Sequence, residues 1–263
     1  MKRISLRPLL GTYDFRGLAL PLILLATWQT ITAAGIVDTK LIVPPARVIE
    51  TGWNYLTNGQ FFNGLKASLL RDLAGFALGS IAGILFGVLL GVSRWAERLI
   101  GPTFHTLKQI SLFAWLPLMS AWLGSGEPAK IVFIAISAFY PVALNTFEGV
   151  RSVNRAQLEV ARVLGFSRMQ LALRLILPAA APQIATGLHL ALLYAWLATI
   201  GAEYLLGSSS QGIGSVVIRG KAAFNVELIL FGMLAIGLVG VLLNKLATLI
   251  EQRVLHWRGP ANQ

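Results

Sequence analysis

Six long runs of mostly apolar residues without a single Asp, Glu, Lys or Arg dominate this sequence, at 18–37, 73–93, 110–124, 131–147, 180–202 and 228–244. A helix of about 20 such residues crosses the roughly 30 Å hydrocarbon core of a bilayer. Only 13% of the chain is charged, whereas a soluble domain carries about 25%. The sequence therefore predicts an all-α polytopic membrane protein with six transmembrane helices.

Basic residues decide the orientation, because cytoplasmic loops of membrane proteins are enriched in Lys and Arg. With the N-terminus inside, 15 of the 22 basic residues fall on cytoplasmic segments. The other seven fall outside: Lys40, Arg47, Lys66, Arg71, Lys130, Arg219 and Lys221. The net charge of +11 is thus explained by membrane topology, and no nucleic-acid partner is expected.

The third run is the weakest of the six, since Pro117 interrupts it and Lys108 precedes it. A re-entrant segment is the alternative. Without this span the later basic loops would lie on the wrong side, so six spans with both termini cytoplasmic are predicted. A cleaved signal peptide is the alternative for the first run, because Lys2 and Arg3 precede it. Its near-spanning length favours a retained helix.

The expected organisation is a cytoplasmic N-terminal tail at 1–17, a transmembrane domain at 18–250 with a cytoplasmic loop at 151–178, and a C-terminal tail at 251–263. Within the second span, five glycines follow one another at four-residue steps: Gly75, Gly79, Gly83, Gly87 and Gly91. They share one helix face, which predicts close packing against another helix of the same chain, with a dimer seam as the alternative.

Ionisable groups and enzyme motifs are missing from the apolar runs. The absence of Asp, Glu, Lys and Arg from them argues against a proton-coupled carrier. His189 is the exception, for which a hydrogen-bonded packing role is favoured over a proton relay. Gly207 and Gly212 have the spacing of a Walker A loop, but Ile213 and Gly214 follow where Lys and Ser or Thr are required. The chain has no Cys, so thiolate chemistry is excluded.

The loop before the fifth run carries five arginines, so a solvated connection or a basic helix on anionic lipid are simple interpretations. Its cap residues favour two short helices instead. Asn154 and Ser167 each have a Gln three residues later, the spacing of a capping box. Gly165 is placed to end the first helix, about 155–164, in a left-handed conformation. The second helix is expected to end near Leu177-Pro178.

A pattern in this loop resembles the EAA loop of bacterial ABC importer permeases: Glu159-Val160-Ala161, Gly165, Leu175 and Leu177-Pro178. The usual form has Ala at position 160 and Ile at 175. Stretches at 93–98, 116–124, 139–146 and 202–214 look like the subfamily that imports aliphatic sulfonates, taurine or nitrate. The resemblance covers most of the chain and implies the type I ABC importer permease fold.

The resemblance also implies partners and site residues. ATP and Mg would be bound by a separate ABC ATPase, with no cofactor on this chain, and a periplasmic or lipid-anchored binding protein would deliver the substrate. One set of spans and one coupling loop per chain suggest a homodimer of permeases in a bacterial cytoplasmic membrane. Contact with the ATPase is assigned to Glu159, Ala161 and Gly165, with Arg155 and Arg162 as supporting charges.

A small oxyanion crossing an uncharged cavity needs hydrogen-bond donors, because hydrocarbon provides none. Six residues of the spans are candidates for this role, with packing as the alternative for each: Ser120, Trp122, Tyr140, Asn145, Gln183 and His189. Glu203 and the loop at 207–214 either face the delivering protein or simply turn the chain, and the second alternative is favoured. Rival functions are an ATP-independent uniporter or channel and a membrane-embedded enzyme.

Overall fold

The computed structural model describes residues 16–35, 37–38, 42–206 and 211–254, and the regular structure in these ranges is entirely helical. The basic leader around Lys2 and Arg3 and most of both expected tails lie outside the described residues. The α-helices in these ranges are α1 (Arg16–Ala33), α2 (Pro45–Thr57), α3 (Gln60–Val92), α4 (Arg94–Leu107), α5 (Leu116–Leu123), α6 (Glu127–Arg151), α7 (Arg155–Val163), α8 (Arg168–Leu171), α9 (Leu177–Leu206), α10 (Gly214–Ala222) and α11 (Val226–Val254).

Four segments of the described chain are long and apolar enough to cross a membrane, namely α3, α6, the continuous stretch Met169–Leu206 and α11. They contain the second, fourth, fifth and sixth predicted runs. The first run forms α1, whose 18 residues extend over about 27 Å at 1.5 Å per residue. This is close to the thickness of the hydrocarbon core.

The third run is not one spanning helix, so that prediction is wrong in its simple form. A 3₁₀ turn, Leu112–Trp115, leads directly into the short α5, and together they extend over only about 20 Å. Pro117 stands at the start of α5, where its missing N–H costs no helical hydrogen bond. The apolar segment is therefore broken into pieces by its own sequence.

The packing direction of α3 and α6 nevertheless requires a return across the membrane between them. The two helices run parallel, because successive glycines of α3 meet successive residues of α6. Gly75 lies against residues 131–134, Gly83 against Phe139, and Gly91 against residues 147–150. Parallel neighbours need a crossing connection. We assign this third crossing to α4, the 3₁₀ turn and α5 together, which preserves the topology expected from the basic residues.

The glycine face of α3 is the surface on which α6 packs, as predicted. A Cβ atom on Gly83 would lie 2.9 Å from the Phe139 carbonyl oxygen and 2.9 Å from Val142 Cβ. On Gly87 it would lie 2.6 Å from Thr146 Cβ. Real Cβ atoms do not approach this closely, so the helices meet backbone to backbone. The close intramolecular interface is confirmed.

Helix α9 runs antiparallel to both α6 and α11 and forms the centre of the bundle. Ser137 Oγ donates to the Tyr194 carbonyl at 2.9 Å, and Gly187 lies against the Pro141 turn of α6. On the opposite face, Trp196 Nε1 donates to the Ile236 carbonyl at 3.2 Å. This core brings the start of α9, which carries the loop at 151–178, to the end of the bundle where α3 and α6 terminate.

Candidate functional site

The loop at 151–178, hereafter the coupling loop, begins with a helix whose two ends are fixed by local hydrogen bonds. The Asn154 side chain accepts from the Ala156 backbone N–H at 2.9 Å. At the other end, Gly165 has φ +74°, its N–H donates to Arg162, and the Phe166 N–H donates to the Ala161 carbonyl, each at 3.0 Å. These are the two bonds of a Schellman motif. The expected helix, the Asn154 cap and the glycine stop are confirmed, but Asn154 bonds the N–H of residue 156 and not that of Gln157, as a capping box would require.

The second half of the coupling loop continues into the membrane without a break. Ser167 and Gln170 exchange the two bonds of a capping box, at 2.9 and 3.3 Å. Helix α8 then passes through a π-helical turn, Ala172–Ile176, directly into α9. The expectation that this helix ends near Leu177-Pro178 is wrong. The wider π turn accommodates Pro178, which would otherwise clash with the carbonyl of residue 174 in an α-helix.

The coupling loop has an inner and an outer face. Leu158 packs in a cluster with Val153, Leu171 and Leu175, and Ala161 is only 5% exposed. The Ala161 side chain is therefore buried within the described chain and presents almost no surface for a docking contact. Outward-facing apolar residues are Val160, Val163, which is 87% exposed, and Leu164. Glu159, Arg155 and Arg162 are exposed on the same short helix.

Near the other end of the bundle lies a group of ionisable and hydroxyl side chains, all buried except the half-exposed Glu127, which we call the polar cluster: Ser68, Arg71, Asp72, Glu127, Lys130, Thr199 and Glu203. The Glu203 side chain is 1% exposed and receives Arg71 Nη1 and Ser68 Oγ, each at 2.6 Å, and the Gly214 N–H at 2.8 Å. Arg71 also pairs with Glu127 and donates to the Gln211 carbonyl at 2.7 Å.

The polar cluster joins three helices to the chain before α10. Ser68 Oγ accepts from the Ile213 N–H at 2.9 Å while it donates to Glu203, so the segment at 211–214 is held against α3 and α9. Thr199 Oγ1 donates to Asp72 at 3.0 Å, and Lys130 lies 3.4 Å from Glu127. Glu203 is thus a buried hydrogen-bond acceptor, which corrects the expectation that it marks an outer turn.

This cluster was not predicted because the runs at 73–93, 131–147 and 180–202 stop at Asp72, Lys130 and Glu203. The helices are longer than the runs: α3 begins at Gln60 and includes Arg71 and Asp72, and α6 includes Lys130. The apolar runs lack Asp, Glu, Lys and Arg as stated, but the longer helices that contain them carry buried ionisable side chains beyond the limits of those runs. The sequence signal for the cluster was the pair of adjacent charged residues Arg71 and Asp72, which directly precedes the apolar run at 73–93.

The structure does not bring the six predicted pathway residues into one group. Asn145 on α6 and Gln183 on α9 both lie at the α6–α9 contact, where a Cβ on Gly187 would be 2.8 Å from Asn145 Cβ and one on Gly149 would be 2.8 Å from Gln183 Cβ. Tyr140 packs against Phe104 of α4, with ring centroids 5.8 Å apart. Ser120 and Trp122 lie on α5, where Ser120 Oγ is 3.3 Å from Ser125 Oγ and Trp122 is exposed.

His189 faces α11 and makes two hydrogen bonds to it. Its Nε2 lies 2.7 Å from Asn244 Oδ1 and its Nδ1 lies 2.9 Å from Glu251 Oε2. These contacts place His189 at the edge of an apolar groove of about 380 Å³ between α3, α9 and α11. This is the interhelical hydrogen-bonding role that the sequence favoured for this residue.

Comparison with known families tests the resemblance carried by the coupling loop. Residues 79–256 match the model of the family described as binding-protein-dependent transport system inner membrane component. The chain belongs to this family. The matched region contains the whole coupling loop and all of α6 and α9, so the helix–glycine–helix geometry lies inside the part that defines this inner membrane component.

Two curated relatives of this inner membrane component cover most of its length. One is the putative aliphatic sulfonates transport permease protein SsuC of Bacillus subtilis, 36% identical over 92% of this chain and 87% of that protein. Another is the nitrate import permease protein NrtB of Leptolyngbya laminosa, 33% identical over 89% of this chain and 85% of that protein. Both are named as permeases, so this chain is similar over nearly its whole length to transport subunits.

The solved structures support the fold assignment. A chain from the inward-facing MetNI methionine ABC transporter superposes with a TM-score of 0.64 at 18% identity, covering 74% of this chain and 96% of that one. The fold is that of the type I ABC importer permeases. This chain is therefore a membrane protein whose coupling loop and long apolar helices occupy a known transporter architecture.

Proposed function

We propose that this chain is the permease subunit of an ATP-driven importer and forms the pathway for a small oxyanion such as an aliphatic sulfonate, taurine or nitrate. The observation that carries the proposal is the coupling loop. Its first helix is capped at both ends, and its second half is continuous through the π turn with the central helix α9. A force applied to α7 would therefore reach the middle of the bundle.

The outer face of the coupling loop supplies the docking surface for the ATPase in this proposal. Val163 and Leu164 present exposed apolar area, and the exposed side chains of Arg155, Glu159 and Arg162 surround it. Ala161 and Gly165 act by holding the helix in place: a small residue packs inward and a left-handed glycine sets the turn. Their assigned coupling role is thus retained as positioning.

Coupling requires an element with two positions that ATP biases through different contacts. ATP and Mg would bind to separate ATPase subunits, and this chain would contribute no nucleotide site. Closure of those subunits would carry α7 with it. Because Leu158 of α7 packs against a buried cluster that includes Ile176 and Ala180, the motion would pass to α9 and alter access to the pathway.

The proposed complex contains two copies of this chain, because each copy supplies one coupling loop and a single bundle of long helices. Large exposed side chains of α1, such as Leu22, Ile23 and Leu24, provide apolar surface for lipid or for the second copy. An external binding protein, either periplasmic or lipid-anchored, would deliver the substrate. The proposed location is the bacterial cytoplasmic membrane with both termini on the cytoplasmic side.

The substrate class rests on the two named relatives and on the chemistry of the bundle. The relatives are named for aliphatic sulfonates and for nitrate, which share a compact oxyanion. Asn145 and Gln183, both at the α6–α9 contact, carry uncharged amide donors of the kind that such an anion needs, although Asn145 Nδ2 also donates to the Pro141 carbonyl at 2.8 Å. Tyr140, Ser120, Trp122 and His189 remain further candidates for the pathway.

Uptake into proteoliposomes tests the proposal. The chain is reconstituted with its candidate ATPase and binding protein, and ATP-dependent accumulation of labelled taurine, another sulfonate and nitrate is measured. We expect uptake of one of them only when ATP and both partners are present. Equal uptake by the chain alone would contradict the importer proposal and favour the uniporter or channel.

A further inference from the structure

A basic pocket lies where α4 packs beside the end of α6, and the function proposed above makes no use of it. The pocket has a volume of about 510 Å³, and its charged or titratable lining residues are Arg94, Glu97, Arg98, His105 and Arg151. Three of these are arginines and one is a carboxylate, so the formal charge is +2 with the histidine neutral. The pocket lies at the same end of the bundle as the coupling loop.

The arginines approach the pocket from two helices. Arg94 and Arg98 are one turn apart on α4, so their side chains share a face. Arg151 comes from the last turn of α6, where it pairs with Glu97 and its guanidinium lies 5.2 Å from the Phe147 ring centroid. Glu97 and Phe147 thus fix one guanidinium in place, while the two on α4 bring the excess positive charge.

This arrangement is chemically suited to an oxyanion. Guanidinium groups present planar pairs of N–H donors that match phosphate, sulfonate and carboxylate oxygens. Trp95 and Leu99, which are 77% and 67% exposed, lie on the neighbouring face of the same helix. Tryptophan is typical of the membrane–water interface. An anionic headgroup in the pocket would therefore leave its acyl chains beside apolar side chains.

We propose that this pocket is an oxyanion site on the coupling-loop side of the membrane, formed by Arg94, Arg98 and Arg151. A phosphate group is the ligand chemistry, supplied by an anionic phospholipid or by free phosphate. The site is separate from the assigned ATPase contact residues and from the polar cluster. It holds even if the importer proposal fails, because it rests on the pocket alone.

The test is a titration of the purified full-length chain with phosphatidylglycerol, followed by native mass spectrometry, with phosphatidylcholine as the comparison lipid. Each arginine near an anionic membrane surface contributes about 1 kcal/mol, so the double variant Arg94→Gln/Arg98→Gln should bind phosphatidylglycerol roughly 30-fold more weakly. Arg174→Gln is the matched control, since it removes an exposed arginine from the coupling loop outside the pocket. It should retain wild-type binding.

A second variant guards against loss of binding through misfolding. Glu97→Gln removes the carboxylate from the pocket and should strengthen phosphatidylglycerol binding about tenfold, whereas mere damage to the fold would weaken it. In a second arm, inorganic phosphate is added to the chain in phosphatidylcholine nanodiscs and the melting temperature is recorded. A rise that depends on Arg94 and Arg98, without preference for phosphatidylglycerol, would assign the site to a free anion.

Two results would overturn the proposal. In the first, Arg94→Gln/Arg98→Gln and Arg174→Gln reduce lipid and phosphate binding equally, so that the pocket is only part of a general positive surface. In the second, the double variant leaves both ligands unaffected and instead weakens association with the ATPase. That outcome would make the arginines a protein-docking surface.

Discussion

The buried pair of Arg71 and Glu203 gives a sharp prediction for stability. Replacing Glu203 by Ala removes the acceptor for Arg71 Nη1, Ser68 Oγ and the Gly214 N–H, which now approach it at 2.6–2.8 Å. The side chains of Arg71 and Glu203 are only 8% and 1% exposed, so water cannot replace the lost bonds without rearrangement.

The expected cost follows from what remains near Arg71 after the change. Breaking a buried ion pair by removing one partner typically costs about 3–5 kcal/mol. Arg71 retains Glu127 and the Gln211 carbonyl, so we expect the lower end, about 3 kcal/mol of unfolding free energy. Adding Arg71→Met should recover part of this loss, because the uncompensated cation is then gone. The double variant should lose at least about 1 kcal/mol less unfolding free energy than the sum of the losses in the Glu203→Ala and Arg71→Met single variants.

The assay is equilibrium unfolding in mixed micelles of mild detergent and SDS, followed by circular dichroism. Glu227→Ala is the matched control, since Glu227 and Arg47 form an ion pair at 4.0 Å whose side chains are 22% and 62% exposed. Such a pair contributes less than about 1 kcal/mol. The reasoning is refuted if Glu203→Ala costs no more than this control, or if the double variant loses the full sum of the single effects.

Three further variants test separate parts of the fold. Gly83→Leu should prevent close packing of α3 on α6 and lower the yield of folded protein in size-exclusion chromatography, and a wild-type profile would contradict the 2.9 Å approach to Phe139. Asn154→Ala removes the cap of α7 and should raise amide hydrogen exchange there, at a cost of about 1 kcal/mol; unchanged exchange would speak against the cap. Thr199→Val leaves Asp72 without its donor and should destabilise the chain in the SDS titration, unlike Thr57→Val on an exposed helix end.

Much of this architecture follows from local sequence patterns. The apolar runs contain the centres of the long helices, since hydrocarbon requires apolar side chains and internal backbone bonds. The two caps of the coupling loop and the turn at Gly165 depend on residues at most five positions apart. The glycine face of α3 likewise follows from helical periodicity. Features of this kind are specified within a few residues of one another.

The polar cluster and the broken third crossing depend on distant parts of the chain. Arg71 and Glu203 are 132 positions apart. Considered separately, each residue only marks the end of an apolar run, and nothing in the local sequence predicts their contact. The exposure of Val163 depends on how α7 sits against the buried cluster of Val153, Ile176 and Ala180, on which Leu158 packs. The π turn itself adapts a continuous helix to Pro178, where sequence rules predict a break.

If the coupling loop transmits the state of an ATPase to the bundle, a substitution of Gly165 should uncouple the two. A Cβ there would contact nothing within 4 Å, so Gly165→Val acts through its left-handed φ alone, a cost of at least about 1–2 kcal/mol. Gly59 has the same geometry, φ +70° with open space, but lies between α2 and α3, and Asn tolerates this conformation better than other side chains.

The measurement is substrate-stimulated ATP hydrolysis by the reconstituted chain with its ATPase and binding protein. Wild type, Gly165→Asn and Gly59→Val should all show stimulation, whereas Gly165→Val should reach the membrane and show little or none. Full stimulation in Gly165→Val, or equal loss in Gly59→Val, would contradict the role assigned to the coupling loop.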